Sequence, residues 1–178
     1  KPKLTVEDGE VTCVTVDMGE PRLARKDIPM AGEPADQPAI DVPLEVDGET
    51  VQITAVSMGN PHCIQFVDSV EEAPVLTMGP KIEYHQAFPD RTNVEFIEIV
   101  DRVHVKMRVW ERGAGETLAC GTGASATGVA CALNELTDRS IEVELLGGTL
   151  EIQWRADNHV FMTGPAGEVF TGELTEKV

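Results

Sequence analysis

The sequence is short of basic residues. It has 14 Lys and Arg against 31 Asp and Glu, which gives a formal net charge of −17 over 178 residues. Such an acidic surface repels phosphate backbones and anionic lipid headgroups, so nucleic acids and membranes are poor candidates as partners. An anionic substrate would need basic side chains gathered at its binding site to overcome this field.

Several functional patterns are also lacking. No apolar run is long enough to cross a membrane. The four cysteines fit neither a CxxC metal pattern nor a small secreted disulfide framework: Cys13, Cys63, Cys120 and Cys131. His62 precedes Cys63, but no second pair of ligands has suitable spacing, so no metal site is predicted. Reduced thiols in a cytoplasmic protein are the expectation.

Alternating β-formers account for most of the chain. They flank Asp8-Gly9 and Asp47-Gly48, two pairs that suit tight hairpin turns. Two further alternating runs, NVEFIEIV and RVHVKMRVW, lie on either side of Asp101, and we expect them to pair. The remaining predicted strands are HCIQFV, IEVELLGG, TLEIQW, HVFMTG and GEVFTGEL.

Helical patterns are few. Residues 71–88 predict one or two short helical turns, broken at Gly79-Pro80. One long helix is predicted at about Gly121–Leu136, and its many small residues indicate that it is enclosed on nearly every side. Regular β-α alternation is absent, so the sequence predicts an α+β fold in which a curved mixed sheet or barrel wraps around one buried helix.

Cys120 stands where a loop meets that helix, in the stretch ERGAGETLACGTGASA. A thiol at a helix N-terminus faces free N–H groups and the positive end of the helix dipole, which lower its pKa. The same amides bind carboxylates. Cys120 is therefore a candidate reactive thiol beside a carboxylate site. The alternative is a buried cysteine that only packs near a glycine-rich turn, and the local pattern leaves both open.

Three polar residues at strand entries are further candidates. Asn60 and His62 lie in MGNPHC, and Asn93 begins the strand in RTNVEF. Each of these residue types also occurs as an ordinary turn residue. The three together could converge on Cys120.

The stretches MGNPHC, FPDRTNVEF, ERGAGETLACGTGASA and LLGGTLEIQW resemble diaminopimelate epimerase in order and spacing. The resemblance runs along essentially the whole chain but covers only the C-terminal part of a family member. It implies the diaminopimelate epimerase-like fold and a cofactor-independent epimerase. Such enzymes interconvert L,L- and meso-diaminopimelate, on the route to lysine and peptidoglycan, with two cysteines on opposite faces of the α-carbon.

The resemblance also implies roles for individual residues. Cys120 matches the second catalytic cysteine, and His62 and Glu111 match residues that support catalysis near the reacting amine. Arg112 is the expected partner of the distal carboxylate. The matched substrate-binding positions are Asn60, Asn93, Glu111, Arg112, Gly121 and Thr122.

The first catalytic cysteine of the family lies in a Cys-Gly-Asn-Gly segment that this sequence does not contain. We therefore expect the chain to carry half an active site, to be inactive alone and to need an N-terminal domain as its partner. The first residue is Lys1 rather than methionine, which predicts a processed or truncated form. Residues 1–20 are interpreted as a hairpin of that N-terminal domain, 21–166 as the C-terminal epimerase domain and 167–178 as a closing strand. Family members often pair, so a homodimer is a further expectation.

Three alternatives differ in their chemistry. Proline or hydroxyproline racemases also place a cysteine before Gly-Thr-Gly, but the Glu111-Arg112 pair favours a substrate with a second charged end. Phenazine-pathway isomerases use a carboxylate in place of the thiols, which Cys120 disfavours. A non-catalytic ligand-binding module that keeps the fold is the alternative outside enzymes.

Overall fold

The computed structural model describes residues 2–173. In this part of the chain a 3-10 helix spans Arg25–Asp27, and eleven strands and two α-helices follow the order β1 (Lys3–Glu7), β2 (Glu10–Asp17), β3 (Val42–Val46), β4 (Glu49–Ser57), β5 (Pro61–Phe66), α1 (Val75–Glu83), β6 (Asn93–Ile99), β7 (His104–Glu111), β8 (Gly115–Thr117), α2 (Gly121–Leu133), β9 (Ser140–Leu145), β10 (Gly148–Trp154) and β11 (Val160–Pro165). None of the helices is long and apolar enough to cross a membrane in these described residues.

All the strands belong to one mixed sheet. Its order is β1-β2-β11-β10-β9-β7-β6-β5-β4-β3, with β8 paired to β7. The pairs β5–β6 and β7–β9 are parallel and the others are antiparallel. Helix α2 packs against β4, β5 and β6 on one side and against β9, β10 and β11 on the other, so the sheet curves around it. The predicted α+β fold is confirmed.

The two predicted hairpin turns form as expected. Asp8 and Gly9 connect β1 to β2 with φ values of 50° and 87°, and Asp47 and Gly48 connect β3 to β4 with 51° and 87°. Type I′ turns need positive φ at both central residues, which Asp and Gly tolerate better than other residues. The pairing of β6 with β7 is also confirmed.

The central strands have a buried core on each face. One core surrounds α2, and the other lies under α1 and the β3–β4 hairpin. Side chains alternate between them, so Val94 and Phe96 of β6 face the α1 side while Ile97 faces α2. By the same alternation, Glu95, two positions before Ile97, and His62, two positions before Ile64 of β5, point towards α2. This alternation is what directs polar side chains to one site.

Helix α2 has no polar face because the sheet covers it. Every residue from 123 to 131 is buried. Its small residues let the strands approach closely: a methyl group at Gly128 would lie only 2.6 Å from Ile152 Cγ2 of β10. The helix ends at Leu133, slightly before the predicted end, and the prediction that it is enclosed is confirmed.

Helix α1 corrects one prediction, because it runs unbroken through Gly79 and Pro80. Pro80 has no N–H to donate to the carbonyl of Leu76, which costs the helix one hydrogen bond. Packing offsets this loss: Met78 and Ile82 are buried, and Gly79 lies so close to Trp110 that an added Cβ would be 2.7 Å from its side chain. Tertiary contacts thus outweigh the local signal for a break.

The ends of the chain were predicted to belong to another domain. In this structure β2 pairs with β11, which joins the opening hairpin to the main sheet. The strand predicted in GEVFTGEL does not form over residues 167–173, where Val169 and Phe170 are 91% and 83% exposed. Leu174 and the rest of the predicted closing strand lie outside the described residues. The domain boundaries remain a prediction.

Candidate active site

Cys120 occupies the N-cap position of α2, as predicted. Its backbone is extended, with φ −141° and ψ 106°, and its sulfur accepts a hydrogen bond from the Gly123 amide over 3.4 Å. The Thr122 hydroxyl lies 3.6 Å from the sulfur. The first amides of a helix have no partner inside it, so those of Gly121 and Thr122 are available to an anion.

The predicted lowering of the Cys120 pKa is wrong for this structure. Burial and the nearby Glu95 carboxylate raise the pKa of the thiol to about 11, although the hydrogen bonds from Thr122 and Gly123 act in the opposite direction. Cys120 is only 6% exposed, so desolvation of the thiolate outweighs the effect of the helix terminus. In this structure the group at the helix end is therefore a neutral thiol near neutral pH.

Asn60 and His62 reach the same helix terminus from the other side. Asn60 Nδ2 donates to the Thr122 hydroxyl over 3.2 Å, and Asn60 Oδ1 lies 3.1 Å from His62 Nε2. His62 is fully buried on β5. A continuous set of hydrogen bonds therefore joins His62 to Cys120 through Asn60 and Thr122.

Asn93 and Arg112 form the adjoining part of the site. Asn93 Nδ2 donates to the carbonyl of Pro61, between Asn60 and His62, and Asn93 Oδ1 accepts from the Arg112 amide over 2.9 Å. Glu111 accepts a hydrogen bond from the Thr117 hydroxyl and lies near enough to Cys120 to disfavour its ionisation. All the site residues predicted from the sequence therefore lie in one region of the structure.

An open cavity adjoins this region and carries basic groups. Its basic lining residues are Arg22, Lys26 and Arg112, and its acidic ones are Asp27 and Asp90. Lys26 is paired with Asp36, while the exposed Arg112 guanidinium donates to the carbonyl of Asp90. The cavity thus brings three basic side chains together, beside two acidic ones, in a strongly acidic chain. The contribution of Arg22 was not predicted, because it lies in the patternless segment after β2.

Glu95 is a second residue that the sequence reasoning missed. It lies on β6 between Asn93 and Ile97, is fully buried, and places Oε1 only 2.6 Å from His62 Nδ1. Burial raises the pKa of the Glu95 carboxyl, with His62 opposing this effect. The available signal was its position: alternation puts Glu95 on the same face as Asn93.

The described residues contain no group of three or more His, Cys, Asp or Glu side chains that could hold a metal ion. The chemistry that the site can perform with its own groups is acid–base chemistry at Cys120, beside amides and basic groups suited to carboxylates.

Comparisons with known proteins identify the family of the chain. The family model described as diaminopimelate epimerase matches residues 54–169. A diaminopimelate epimerase from Moorella thermoacetica is 57% identical over 175 residues, covering 98% of this chain and 62% of the relative. One from Heliobacterium modesticaldum is 58% identical over 172 residues, covering 96% and 60%. The chain therefore spans about 60% of the length of these relatives.

A solved structure shows the same fold at much lower identity. The hydroxyproline epimerase from Agrobacterium vitis, with bound trans-4-hydroxy-L-proline, aligns with a TM-score of 0.62 at 15% identity, over 92% of this chain and 52% of that one. Similarity at this level concerns the fold alone. The match of the family model and the identity to curated relatives are much more specific, and they establish that the chain belongs to the diaminopimelate epimerase family.

Proposed function

We propose that this chain carries one half of the active site of a cofactor-independent diaminopimelate epimerase, with Cys120 as one of two catalytic thiols. The observation that supports this most directly is the position of Cys120 Sγ at the N-cap of α2, 3.6 Å from Thr122 and hydrogen-bonded to Gly123. The sulfur and the free amides of the helix lie side by side there.

The two ends of the substrate would have different partners. The α-carboxylate would bind the Gly121 and Thr122 amides, which also leaves the α-carbon near Cys120. The distal carboxylate would bind Arg112, at the open cavity, with Asn60 and Asn93 beside it. Glu111 would accept a hydrogen bond from the reacting amine, and His62 would support this part of the site through its hydrogen bond with Asn60.

The reaction then needs one proton removed and one returned. One thiolate takes the α-proton and becomes a thiol, leaving a carbanion, and the other thiol gives its proton to the opposite face and becomes a thiolate. The α-proton of an amino acid is very weakly acidic, so the carbanion needs stabilisation by fixed dipoles from which water is excluded. The raised pKa of Cys120 makes its neutral form a competent proton donor in this scheme.

The second thiol would come from an N-terminal domain outside these 178 residues. Cys63 and Cys131 are fully buried, and Cys13 lies half-buried on β2 in the opening hairpin. Among residues 2–173, none of these three thiols takes part in the hydrogen bonds around Cys120. We therefore infer that residues 1–178 do not epimerise diaminopimelate without that domain. Participation in cytoplasmic lysine and peptidoglycan synthesis, and assembly as a homodimer, belong to the same proposal.

Deuterium incorporation at the α-carbon tests the proposal. A full-length enzyme containing residues 1–178, incubated with L,L-diaminopimelate in D2O, should produce both isomers with α-deuterium, detected by NMR. Cys120→Ser should abolish incorporation at the face that Cys120 serves, whereas Cys13→Ser, the matched control, should leave turnover unchanged.

Three results would contradict the proposal or part of it. Turnover by the isolated 178-residue chain would refute the half-site. Turnover of proline or hydroxyproline in place of diaminopimelate would refute the substrate. Absence of any turnover in the full-length enzyme would favour a non-catalytic ligand-binding module.

A further inference from the structure

The carboxylate of Glu95 is in an unusual environment. Its Oε1 contacts His62 Nδ1 at 2.6 Å, and both side chains are fully buried. Its Oε2 is buried and has no hydrogen-bond partner in the described residues. A buried carboxylate with an unpaired oxygen is costly, so the cost needs an explanation in the surrounding site.

The hydrogen bonds next to it have a definite direction. Asn60 Nδ2 donates to the Thr122 hydroxyl, so Asn60 Oδ1 is an acceptor. The atom facing that acceptor is His62 Nε2, at 3.1 Å, which must therefore carry a hydrogen. The Thr122 oxygen already accepts from Asn60, so its own hydrogen is free to point at Cys120 Sγ.

These donor and acceptor roles require that one proton lies between Glu95 Oε1 and His62 Nδ1. With a hydrogen on Nε2, His62 Nδ1 and Glu95 Oε1 can form their short contact only if a second hydrogen lies between them. Loss of that proton would leave His62 neutral with its hydrogen on Nδ1. Asn60 would then have to turn over and donate to Nε2, and Thr122 would donate to Asn60 instead of to the sulfur.

Glu95 also lies against the thiol itself. A methyl group built on Gly123 would be 2.8 Å from Glu95 Oε1 and 3.2 Å from Cys120 Sγ, so the carboxylate and the sulfur flank the same glycine. Besides His62, the other titratable side chain near this region in the described part of the chain is Glu111 from β7, while Cys63, next to His62 on β5, packs in the core on the α1 side of the sheet. Glu95 is in direct contact with His62.

We propose that Glu95 is a positioning residue: with His62 it holds one buried proton, which fixes the direction of the hydrogen bonds through Asn60 so that the Thr122 hydroxyl donates to Cys120 Sγ. When Cys120 loses its proton, the thiolate then accepts a hydrogen bond from the Thr122 hydroxyl. The proposal deepens the proposed function, because it rests on Cys120 being the reacting thiol.

The first test is a spectroscopic measurement on the unmodified chain. Nitrogen-15 NMR of the imidazole should show a hydrogen on His62 Nε2 at neutral pH. A His62 with a hydrogen on Nδ1 and a lone pair on Nε2 would overturn the proposal. The measurement needs no variant and no substrate, so it can fail while diaminopimelate epimerisation by the full-length enzyme still succeeds, and the reverse.

The second test is a double-mutant cycle on the pH dependence of Cys120 alkylation by iodoacetamide, resolved by peptide mass spectrometry. Thr122→Val removes the hydroxyl donor and should raise the midpoint by about one pH unit. In the Glu95→Gln background the hydrogen bonds through Asn60 no longer have a fixed direction, because the amide of Gln can either donate to or accept from His62 Nδ1. In that background Thr122→Val should therefore raise the midpoint of Cys120 alkylation by at most about half a pH unit.

Glu98→Gln is the matched control background. Glu98 lies on the same strand, but its carboxylate binds the Val70 amide and Lys106 and takes no part in the site. In the Glu98→Gln background, Thr122→Val should raise the midpoint of Cys120 alkylation as much as it does in the unmodified chain. An equal effect of Thr122→Val in the Glu95→Gln background and in the unmodified chain would show that Glu95 does not direct Thr122.

Discussion

The indole Nε1 of Trp110 donates a hydrogen bond to Glu83 Oε2 over 2.7 Å, linking β7 to the end of α1. The other oxygen of this buried carboxylate accepts from the Gly113 amide over 2.9 Å. Gly113 directly follows Arg112, whose own amide is held by Asn93. A side chain on α1, remote from Cys120 in the sequence, therefore holds the turn that presents Arg112 to the cavity.

Glu83→Ala should remove the acceptor of two part-buried N–H groups, on Trp110 and Gly113. A hydrogen bond of this kind contributes about 0.5–1.5 kcal/mol, so we expect the free energy of unfolding to fall by about 2 kcal/mol in urea denaturation. Glu72→Ala is the control, because Glu72 is exposed, and it should change stability by less than about 0.5 kcal/mol. Equal stability of the two variants would show that Glu83 does not anchor the turn.

Gly123→Ala should affect both the fold and the thiol, because the added methyl group would lie 2.8 Å from Glu95 Oε1 and 3.2 Å from Cys120 Sγ. Gly128→Ala makes a similar clash with Ile152 on the same helix, away from the site. Both should lower the free energy of unfolding by about 1–3 kcal/mol. Only Gly123→Ala should also change the pH dependence of Cys120 alkylation; the same change in both variants would point to a general loosening of α2.

The alkylation rate of Cys120 should rise steeply with pH. The pKa of this thiol is raised from 9.0 to about 11, so the thiolate fraction should increase about tenfold per unit up to that range. At pH 8 the half-buried Cys13 should react faster with iodoacetamide. Faster modification of Cys120 than of Cys13 at pH 8 would mean that the helix terminus outweighs burial.

The same raised pKa predicts the sign of a change in stability. The folded chain keeps a proton that the unfolded chain releases above pH 9.0, so the contribution of Cys120 to stability is present below that pH and is lost as the pH rises towards 11. Cys120→Ser should reduce the fall in stability over this interval, measured by urea denaturation at several pH values. If Cys120→Ser left the pH dependence of the free energy of unfolding unchanged, this would contradict the raised pKa of Cys120.

Arg22→Gln should weaken the capture of an anionic substrate, since Arg22 lines the cavity beside Arg112 in a chain of net charge −17. In the full-length enzyme we expect KM for diaminopimelate to rise by about threefold, with little change in kcat and a weaker dependence on salt. Arg102→Gln removes a cation that is paired with Asp138 elsewhere, and it should leave KM unchanged. Equal effects of the two substitutions would indicate only the loss of net charge.

Local signals were sufficient where a residue type has a strong conformational preference. Asp-Gly turns and alternating runs predicted both hairpins and the pairing of β6 with β7, and the small residues of α2 predicted its enclosure. Alternation also explains why Asn93 and Glu111 point to the same side of the sheet. The unbroken α1 was not predictable in this way, because packing on Trp110 stabilises a helix that Pro80 weakens.

By itself the sequence determined most of the strands, the buried helix and the position of Cys120 at its start, since these follow from side-chain periodicity and capping preferences within short stretches. Only the tertiary structure decided which groups surround that sulfur. Asn60 and Thr122 are 62 residues apart and meet through a hydrogen bond, and Glu95 reaches His62 across neighbouring strands. Burial and the charge of Glu95, both consequences of packing, then set the pKa of Cys120 against the trend expected of a helix terminus.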